Sequence, residues 1–453
     1  MLVQVPNALL ENIKDTAGFD EAAFVQTHAD EQQITSVRLN PARQFAPHFS
    51  TALQPVPWSR YGHYLAERPS FTFDPFFHAG CYYVQEASSM FLEQALLQTT
   101  DISQPLRVVD LCAAPGGKST HLQSLLSPDS LLLSNEVIRA RAAVLRDNIV
   151  KWGASNVVVS NSDPKEIGKL SGFFDVMVTD APCSGSGLFR RDPEAVQEWS
   201  MANVALCAQR QQRILADALP ALKEGGVLIY STCSYSPEED EAIQQWLTGE
   251  MGLEGLRLQV HPAWGITEVQ TGEAWGYRFW PHRLAGEGFF ISCLRKRSRT
   301  DTVNSRIKNK PEVASKKEEA VVNAWINTTD FDLIKHQQLV YAWPQQLRAD
   351  MQLLLQELHV LYAGIRVGEL MRDKLVPDHA LALSGRVQPA VLRVELDYET
   401  AIQYLQRKDI QVNGAQRGWT LLHYSGQALG WANVLPNRIN NYYPKELRIL
   451  KDK

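Results

Sequence analysis

The sequence predicts a doubly wound α/β sheet with a further unit on each side, and three observations predict it. Between residues 101 and 297 short apolar runs alternate with helical stretches, the rhythm of parallel strands joined by crossover helices. The first of these runs enters a small-residue turn, Leu111-Cys112-Ala113-Ala114-Pro115-Gly116-Gly117-Lys118-Ser119-Thr120, that opens a helix. After residue 297 the composition changes: 298–320 is rich in Ser, Thr, Lys and Asn and has few large apolar side chains, as a linker does.

Taken in order, residues 1–100 form an N-terminal α+β extension with a helical start and an aromatic, proline-rich middle (Pro55, Pro57, Trp58, Pro69, Phe71, Phe73, Pro75, Phe76, Phe77). In the α/β domain, 101–297, the runs LRVVDLCA (106–113), LLLSNEV (131–137), NVVVSN (156–161), FDVMVTDAP (174–182), GVLIYSTCS (226–234) and GFFISCLRK (288–296) read as strands. Such short apolar runs suit strands buried on both faces. VIRARAAVLRDNIVKWG and VALCAQRQQRILADALPALKEG read as helices between them. Past the 298–320 linker, 321–453 is a separate C-terminal region. There 345–362 reads as an amphipathic helix, and Val391–Leu396 and Gly418–Trp431 read as short strands with turns.

Composition bounds the function. At about 150 residues per domain, 453 residues suggest three domains or two. Hydrophobic residues at 45% and charged residues at 21% exclude wholesale disorder. No apolar run approaches the roughly 20 residues of a membrane helix, and the N-terminus lacks the cationic start and apolar core of a secretory signal. Six cysteines, at 81, 112, 183, 207, 233 and 293, are too sparse for a disulfide scaffold, and no CxxC or HxxxH pair points to zinc. A cytoplasmic monomer is expected, with free thiols, no membrane partner and no metal. The net charge of −5 divides into −8 over 1–300 and +3 over 301–453, too small a difference to argue for nucleic acid. Arg295–Lys317, with nine basic and two acidic residues, reads as a solvated linker able to touch phosphate.

The Gly-rich turn admits two ligands. GGKST resembles the end of a triphosphate-binding loop, but that loop needs a glycine five positions before Gly117, where Cys112 stands. The alternative is a nucleoside-type cofactor lying against Ala113, Ala114 and Gly116, whose small size allows close backbone approach. Glu136 decides for the second: it ends the next strand, twenty residues after Gly116, where a carboxylate can accept from both ribose hydroxyls. Asp163, just beyond the third strand, is placed for the base or amine of the same ligand.

Cys183 and Cys233 lie in polar turns at the ends of two further strands, Asp180-Ala181-Pro182-Cys183-Ser184-Gly185 and Ser231-Thr232-Cys233-Ser234-Tyr235-Ser236. Cys81, Cys207 and Cys293 read instead as small buried hydrophobes. Two thiols and an aspartate at the ligand edge suit covalent catalysis on an electron-poor ring, the thiolate being the attacking species.

DLCAAPGGKST, DAPCSGSG with the following FRRDPE, STCSYSPEEDE and PHRLAGEGFF together resemble the S-adenosylmethionine-dependent RNA cytosine-5 methyltransferases of the Nop2/Sun family. SVRLNP (36–41) and GCYYVQEASSM (80–90) look like that family's N-terminal region. GQALGWANVLPNRINNYYPKELRIL looks like the tail of its bacterial RsmF-type members, which modify 16S ribosomal RNA. The resemblance implies a Rossmann-like class I methyltransferase sheet and a β-rich, PUA-like C-terminal domain. It implies that Cys112, Ala113, Ala114, Pro115, Gly116, Gly117, Lys118, Glu136, Asp163 and Asp180 hold S-adenosylmethionine. Cys233 would be the nucleophile that adds to carbon 6 of cytosine. Asp180 would hydrogen-bond the ring nitrogen, Cys183 would assist release, and Lys118 would help order cofactor and base. Pro182-Cys183 also matches the nucleophile of DNA cytosine-5 methyltransferases, and the second cysteine motif favours Cys233 over it.

The partner implied is RNA, most simply ribosomal RNA or the small ribosomal subunit, with the base unpaired or flipped out. Arg190 and Arg191 stand ready for flanking phosphates, and Arg38 offers a basic surface. Arg438, Asn440 and Tyr442, in a polar-aromatic cluster with Asn437, Asn441, Tyr443 and Lys445, have the groups that bind single strands. Three other readings compete. A transfer RNA cytosine-5 methyltransferase shares the motifs. An amino-group methyltransferase needs a D/N-P-P-aromatic loop, which DAPC is not. A non-catalytic ribosome-assembly protein does not need the intact Cys183, Cys233, Asp180 and Glu136.

Overall fold

All six apolar runs form strands of one ten-stranded sheet: Arg107–Asp110, Leu131–Asn135, Val157–Ser160, Phe174–Asp180, Leu222–Thr232 and Phe289–Lys296. The structure is a computed structural model and describes residues 4–30, 33–49, 52–300, 308, 310–412 and 416–452. The first five strands are parallel, in the spatial order Leu222–Thr232, Phe174–Asp180, Arg107–Asp110, Leu131–Asn135, Val157–Ser160. Side chains alternate between two helical layers, as the period of two requires. Val108, Leu132, Val176 and Ile229 pack with Leu145 and Ile149 of the helix Arg139–Trp152. Val109, Leu133, Met177 and Leu228 pack with Ile214 and Leu215 of Met201–Ala218 and with Leu247 of Glu241–Gly249. The sheet is therefore doubly wound, and its order reverses between Arg107–Asp110 and Phe174–Asp180, where such folds open a crevice.

Antiparallel strands finish both edges. Phe289–Lys296 lies against Leu222–Thr232 and is followed outward by Ala274–Phe279 and Thr267–Thr271, while Leu253–Leu256 pairs with its far half. At the other edge Val360–Ala363 pairs antiparallel with Val157–Ser160. That strand corrects the helix expected over 345–362. The helix runs Arg348–Glu357, Leu358 turns to an extended ψ of 158°, and the chain joins the sheet. An apolar pattern cannot tell the end of a helix from a short strand. Pairing also satisfies the backbone groups that an open edge would leave exposed.

Residues before the sheet form a four-stranded antiparallel sheet in the order Gln54–Pro55, Gly62–Leu65, Thr35–Leu39, Tyr82–Val84. After it come a five-stranded sheet (Glu312–Val313, Phe331–His336, Leu339–Pro344, Ile365–Met371, Lys374–Pro377) and a four-stranded one (Leu392–Leu396, Gly418–Tyr424, Gln427–Val434, Ile439–Asn441). The last sheet shares a core with the N-terminal one: Val37, Phe76 and Tyr82 pack with Leu396, Tyr404, Leu422 and Tyr443. Most aromatics between 71 and 83 thus serve packing. Within 298–320 the strand Glu312–Val313 and the start of the helix Lys316–Asn323, capped by Ser315, are formed. Residues 301–307 and 309 of the basic run lie outside the described residues. Among the described residues no helix is long and apolar enough to cross a membrane.

The shared edge makes a prediction. A chain ending at residue 297 loses Val360–Ala363 together with Trp343, Met351 and Leu354 of the sheet's core. It is expected to collect in the insoluble fraction or to bind a hydrophobic dye. A monodisperse truncated chain that binds no dye would show that the central sheet folds without its last edge strand.

Candidate active site

Beyond the carboxyl ends of Arg107–Asp110, Phe174–Asp180 and Leu222–Thr232 lies a cavity of about 360 Å³. One wall is the small-residue turn, Cys112 to Pro115 with Gly117 and Lys118; the others carry Asp180, Cys233, Tyr83, Glu86, Glu287 and Phe289. Gly116 has φ +116°, which favours glycine, and it caps the helix Gly117–Leu125. Arg141 Nη2 and Asn148 Nδ2 each donate to the turn's carbonyls, of Ala114 and Pro115, at 2.8 Å. Beneath the turn, Asp110 accepts from Ser119 Oγ at 2.7 Å, and burial pushes its carboxyl up to about 7. Cys112 faces the cavity with a thiol raised by burial, so it acts as a small wall residue rather than a nucleophile.

Glu136 is 3% exposed at the end of its strand. Its Oε1 accepts from Ile138 N at 2.9 Å, while Oε2 is buried without a hydrogen bond, 3.5 Å from Arg141 Nη1. A buried carboxylate oxygen lacking donors is costly, and a ribose hydroxyl would supply one. Together with the close-approach turn, this orphaned acceptor fits S-adenosylmethionine. Asp163 is exposed and caps the next helix, accepting from Lys165 N at 2.9 Å within a capping box closed by Glu166; like Glu136, it is not among the residues lining the cavity. The sequence DPKE carried that local signal.

The two cysteine turns converge. Cys183 Sγ and Cys233 Sγ lie 2.9 Å apart although fifty residues separate them. Their strands are neighbours in parallel register, Asp180 beside Ser231. Hydrogen bonding to Cys233 and burial push the Cys183 thiol well above its ordinary value. In the contact between them either sulfur can be the donor. Lys118 Nζ meets Asp180 Oδ2 at 2.8 Å, and Ser231 Oγ donates to Asp180 Oδ1 at 2.8 Å. Burial alone would lower the Lys118 ammonium, but the Asp180 and Asp110 carboxylates outweigh it and hold the pKa above normal. The cavity thus presents a proton-bearing cation coupled to a carboxylate, close to the sulfur pair.

Two arginines expected to meet RNA are internal. Arg38 is fully buried, donating to Gln85 Oε1 at 2.8 Å, Thr120 Oγ1 at 2.6 Å and Ser124 Oγ at 3.0 Å, and its guanidinium lies over Trp152. It ties the N-terminal sheet to the helix behind the turn. Arg190 is 9% exposed and donates to Gly286 O at 3.3 Å beside Glu287. Arg38 donates from all three guanidinium nitrogens to buried acceptors, and Arg190 from Nη1 to a buried carbonyl, contacts that spacing alone does not reveal. Arg191 is exposed at the cavity rim. Arg438 and Tyr442 are exposed on the last sheet, Tyr442 edge-on to Trp419, and Asn440 pairs with Asn433. Tyr443 is buried among His78, His379 and Tyr404.

Cavity residues not singled out from the sequence are Tyr83, Gln85, Glu86, Arg141, Glu287 and Phe289. All but Arg141 lie in motifs already notable, YYVQE and GEGFF. Arg141 follows Glu136 by little more than one helical turn, and only its bond to Ala114 O exposes its part.

Comparison with known proteins gives three matches to described families. Residues 97–295 match 16S rRNA methyltransferase RsmB/F, residues 5–87 the N-terminal domain of 16S rRNA methyltransferase RsmF, and residues 391–449 the methyltransferase RsmF PUA domain. The chain is 31% identical over 417 residues to ribosomal RNA small subunit methyltransferase F of Vibrio cholerae serotype O1 (strain M66-2), covering 87% of this chain and 85% of that one. The same-named protein of Vibrio vulnificus (strain YJ016) is 28% identical over 98% of each chain. A solved methyltransferase homolog protein from Pyrococcus horikoshii has TM-score 0.51 and 27% identity, covering 64% of this chain and 100% of its own. NSun6 from the same organism, at TM-score 0.54 and 19% identity over 66% of this chain and 100% of its own, shares the fold.

Replacing Glu136 by Ala removes the buried carboxylate expected to accept from the ribose hydroxyls. Calorimetric titration with S-adenosylhomocysteine is expected to show binding weakened about 10- to 100-fold, the range for a charged hydrogen bond, with an unchanged circular dichroism spectrum. Unaltered affinity would remove Glu136 from the cofactor site.

Proposed function

From the premise that the chain belongs to the ribosomal RNA small subunit methyltransferase F family, we propose that it methylates carbon 5 of a cytosine in 16S ribosomal RNA through a transient bond to Cys233. The observation that carries this reading is Cys233 in the wall of the cavity that the small-residue turn also lines, with Cys183 Sγ 2.9 Å from its sulfur on the neighbouring strand end. An amino-group methyltransferase needs no thiol, and a binding protein needs neither thiol nor ion pair.

S-adenosylmethionine, when bound, supplies an electrophilic methyl group. Cys233 as thiolate bonds to carbon 6 of the ring, and the displaced π electrons make carbon 5 nucleophilic. Lys118 and Asp180 face the same cavity. In this reading the proton that drains charge from the ring nitrogen comes from that pair, with Lys118 as its reservoir and not a neutral Asp180 alone. After carbon 5 takes the methyl group it must lose its proton. The Cys233–carbon 6 bond then breaks, the thiolate leaves with the bonding pair, and the carbon 5–carbon 6 double bond returns. Cys183, kept protonated beside Cys233, supports that departure by hydrogen-bonding the leaving sulfur. Arg191 at the rim, with Arg438, Asn440 and Tyr442 on the last sheet, is proposed to hold flanking RNA.

Incubation with RNA containing 5-fluorocytosine and S-adenosylmethionine is expected to trap a covalent complex, stable in a denaturing gel and lost in Cys233→Ala. With ordinary cytosine RNA, Cys183→Ala should accumulate an adduct that the unaltered chain does not. Adduct build-up in the Cys233 variant instead would reverse the two roles.

A further inference from the structure

The two thiol loops leave different strands, and the backbone pairing between those strands ends near Ala181 N, which donates to Ser231 O at 2.8 Å. Past that point one buried side chain joins the residues that directly follow the two cysteines. Glu239 is fully buried, and its Oε1 accepts from Ser184 N at 2.8 Å and from Gln211 Nε2 at 3.1 Å. Its Oε2 accepts from Ser234 Oγ at 2.7 Å and from Ser184 Oγ. Ser184 follows one cysteine and Ser234 follows the other. Burial raises the Glu239 carboxyl while its four donors oppose the rise, as expected of a carboxylate stabilised by hydrogen bonds in place of a cation.

The two loops depend on it unequally. Cys233 itself is held by bonds that bypass Glu239: its carbonyl accepts from Gly187 N at 2.8 Å, Tyr235 N donates to Ser186 Oγ at 2.9 Å, both across to the far part of the Cys183 loop, and Thr232 Oγ1 donates to Asp240. Asp240 in turn is paired with the buried Arg278. The residues on either side of Cys183 lean on Glu239: Ser184 N and Oγ both donate to it, with Oγ also 3.4 Å from Ser234 Oγ, and the Pro182 carbonyl accepts from Gln211, itself bonded to Glu239. We propose that Glu239 is a positioning residue that holds the Cys183 loop against the Cys233 loop, so that its main effect falls on release of the covalent adduct rather than on its formation. This deepens the covalent reading above and rests on it.

Glu239→Gln keeps the shape but turns one acceptor into a donor, breaking the clamp on one side. With ordinary cytosine RNA and S-adenosylmethionine, the variant is expected to accumulate a gel-stable adduct and to turn over about 10- to 100-fold more slowly. Cofactor and RNA affinity should stay within about two-fold of the unaltered chain, a split that general loss of structure does not produce. Ser184→Ala, which removes one of the four bonds, should show a smaller effect of the same kind. The double variant Cys183→Ala with Glu239→Gln should be no slower than Cys183→Ala alone, because both act through one group. Unimpaired turnover in Glu239→Gln overturns the clamp, and so does an independent loss in the Cys183→Ala background. Trapping of 5-fluorocytosine RNA by the unaltered chain separates the two readings: its absence overturns the covalent chemistry and the clamp with it, whereas its presence beside a failed clamp leaves the chemistry standing.

Discussion

Burial of five parallel strands on both faces constrains everything else in this protein. With apolar side chains filling both layers, polar chemistry has room only where the strands stop, and parallel strands stop together at one edge. The order reversal between Arg107–Asp110 and Phe174–Asp180 then opens space at that edge between diverging connections. The small-residue turn, the Asp180 loop and the Cys233 loop all begin within a few residues of a strand end, so one cavity collects groups scattered over more than a hundred positions of sequence.

In and behind that cavity the ionisable groups are held by neighbouring protein groups. Lys118 and Asp180 stabilise each other, Cys183 is kept neutral by its contact with Cys233, and Glu239 is satisfied by four uncharged donors. These contacts set the groups in place before any ligand arrives.

The flanking units are not loosely attached. Val360–Ala363 completes the central sheet, Arg107 forms a two-point ion pair with Asp350 beyond the linker, and the last sheet packs its core against the first. Arg38 fastens the N-terminal sheet to the helix that begins at the cofactor turn. Tyr83, Gln85 and Glu86 consequently form a cavity wall built from a segment outside the central sheet.

The sequence by itself determined the strands, the helices on either side and the small-residue turn, because a doubly buried strand must be a short apolar run and a close approach must lack side chains. Glu136, Cys183 and Cys233 were legible for a related reason: polar residues directly after such runs have nowhere to go but the ligand edge. Only the tertiary structure decided which charged groups face outward. Arg38 and Arg190 look like surface arginines until buried acceptors claim them, and the helix expected through 362 gives way to a strand because an open sheet edge lies within reach. The role of Glu239 was hidden for the same reason: its partners, Ser184, Gln211 and Ser234, are brought around it by three separate elements, and local sequence has no term for a contact between them.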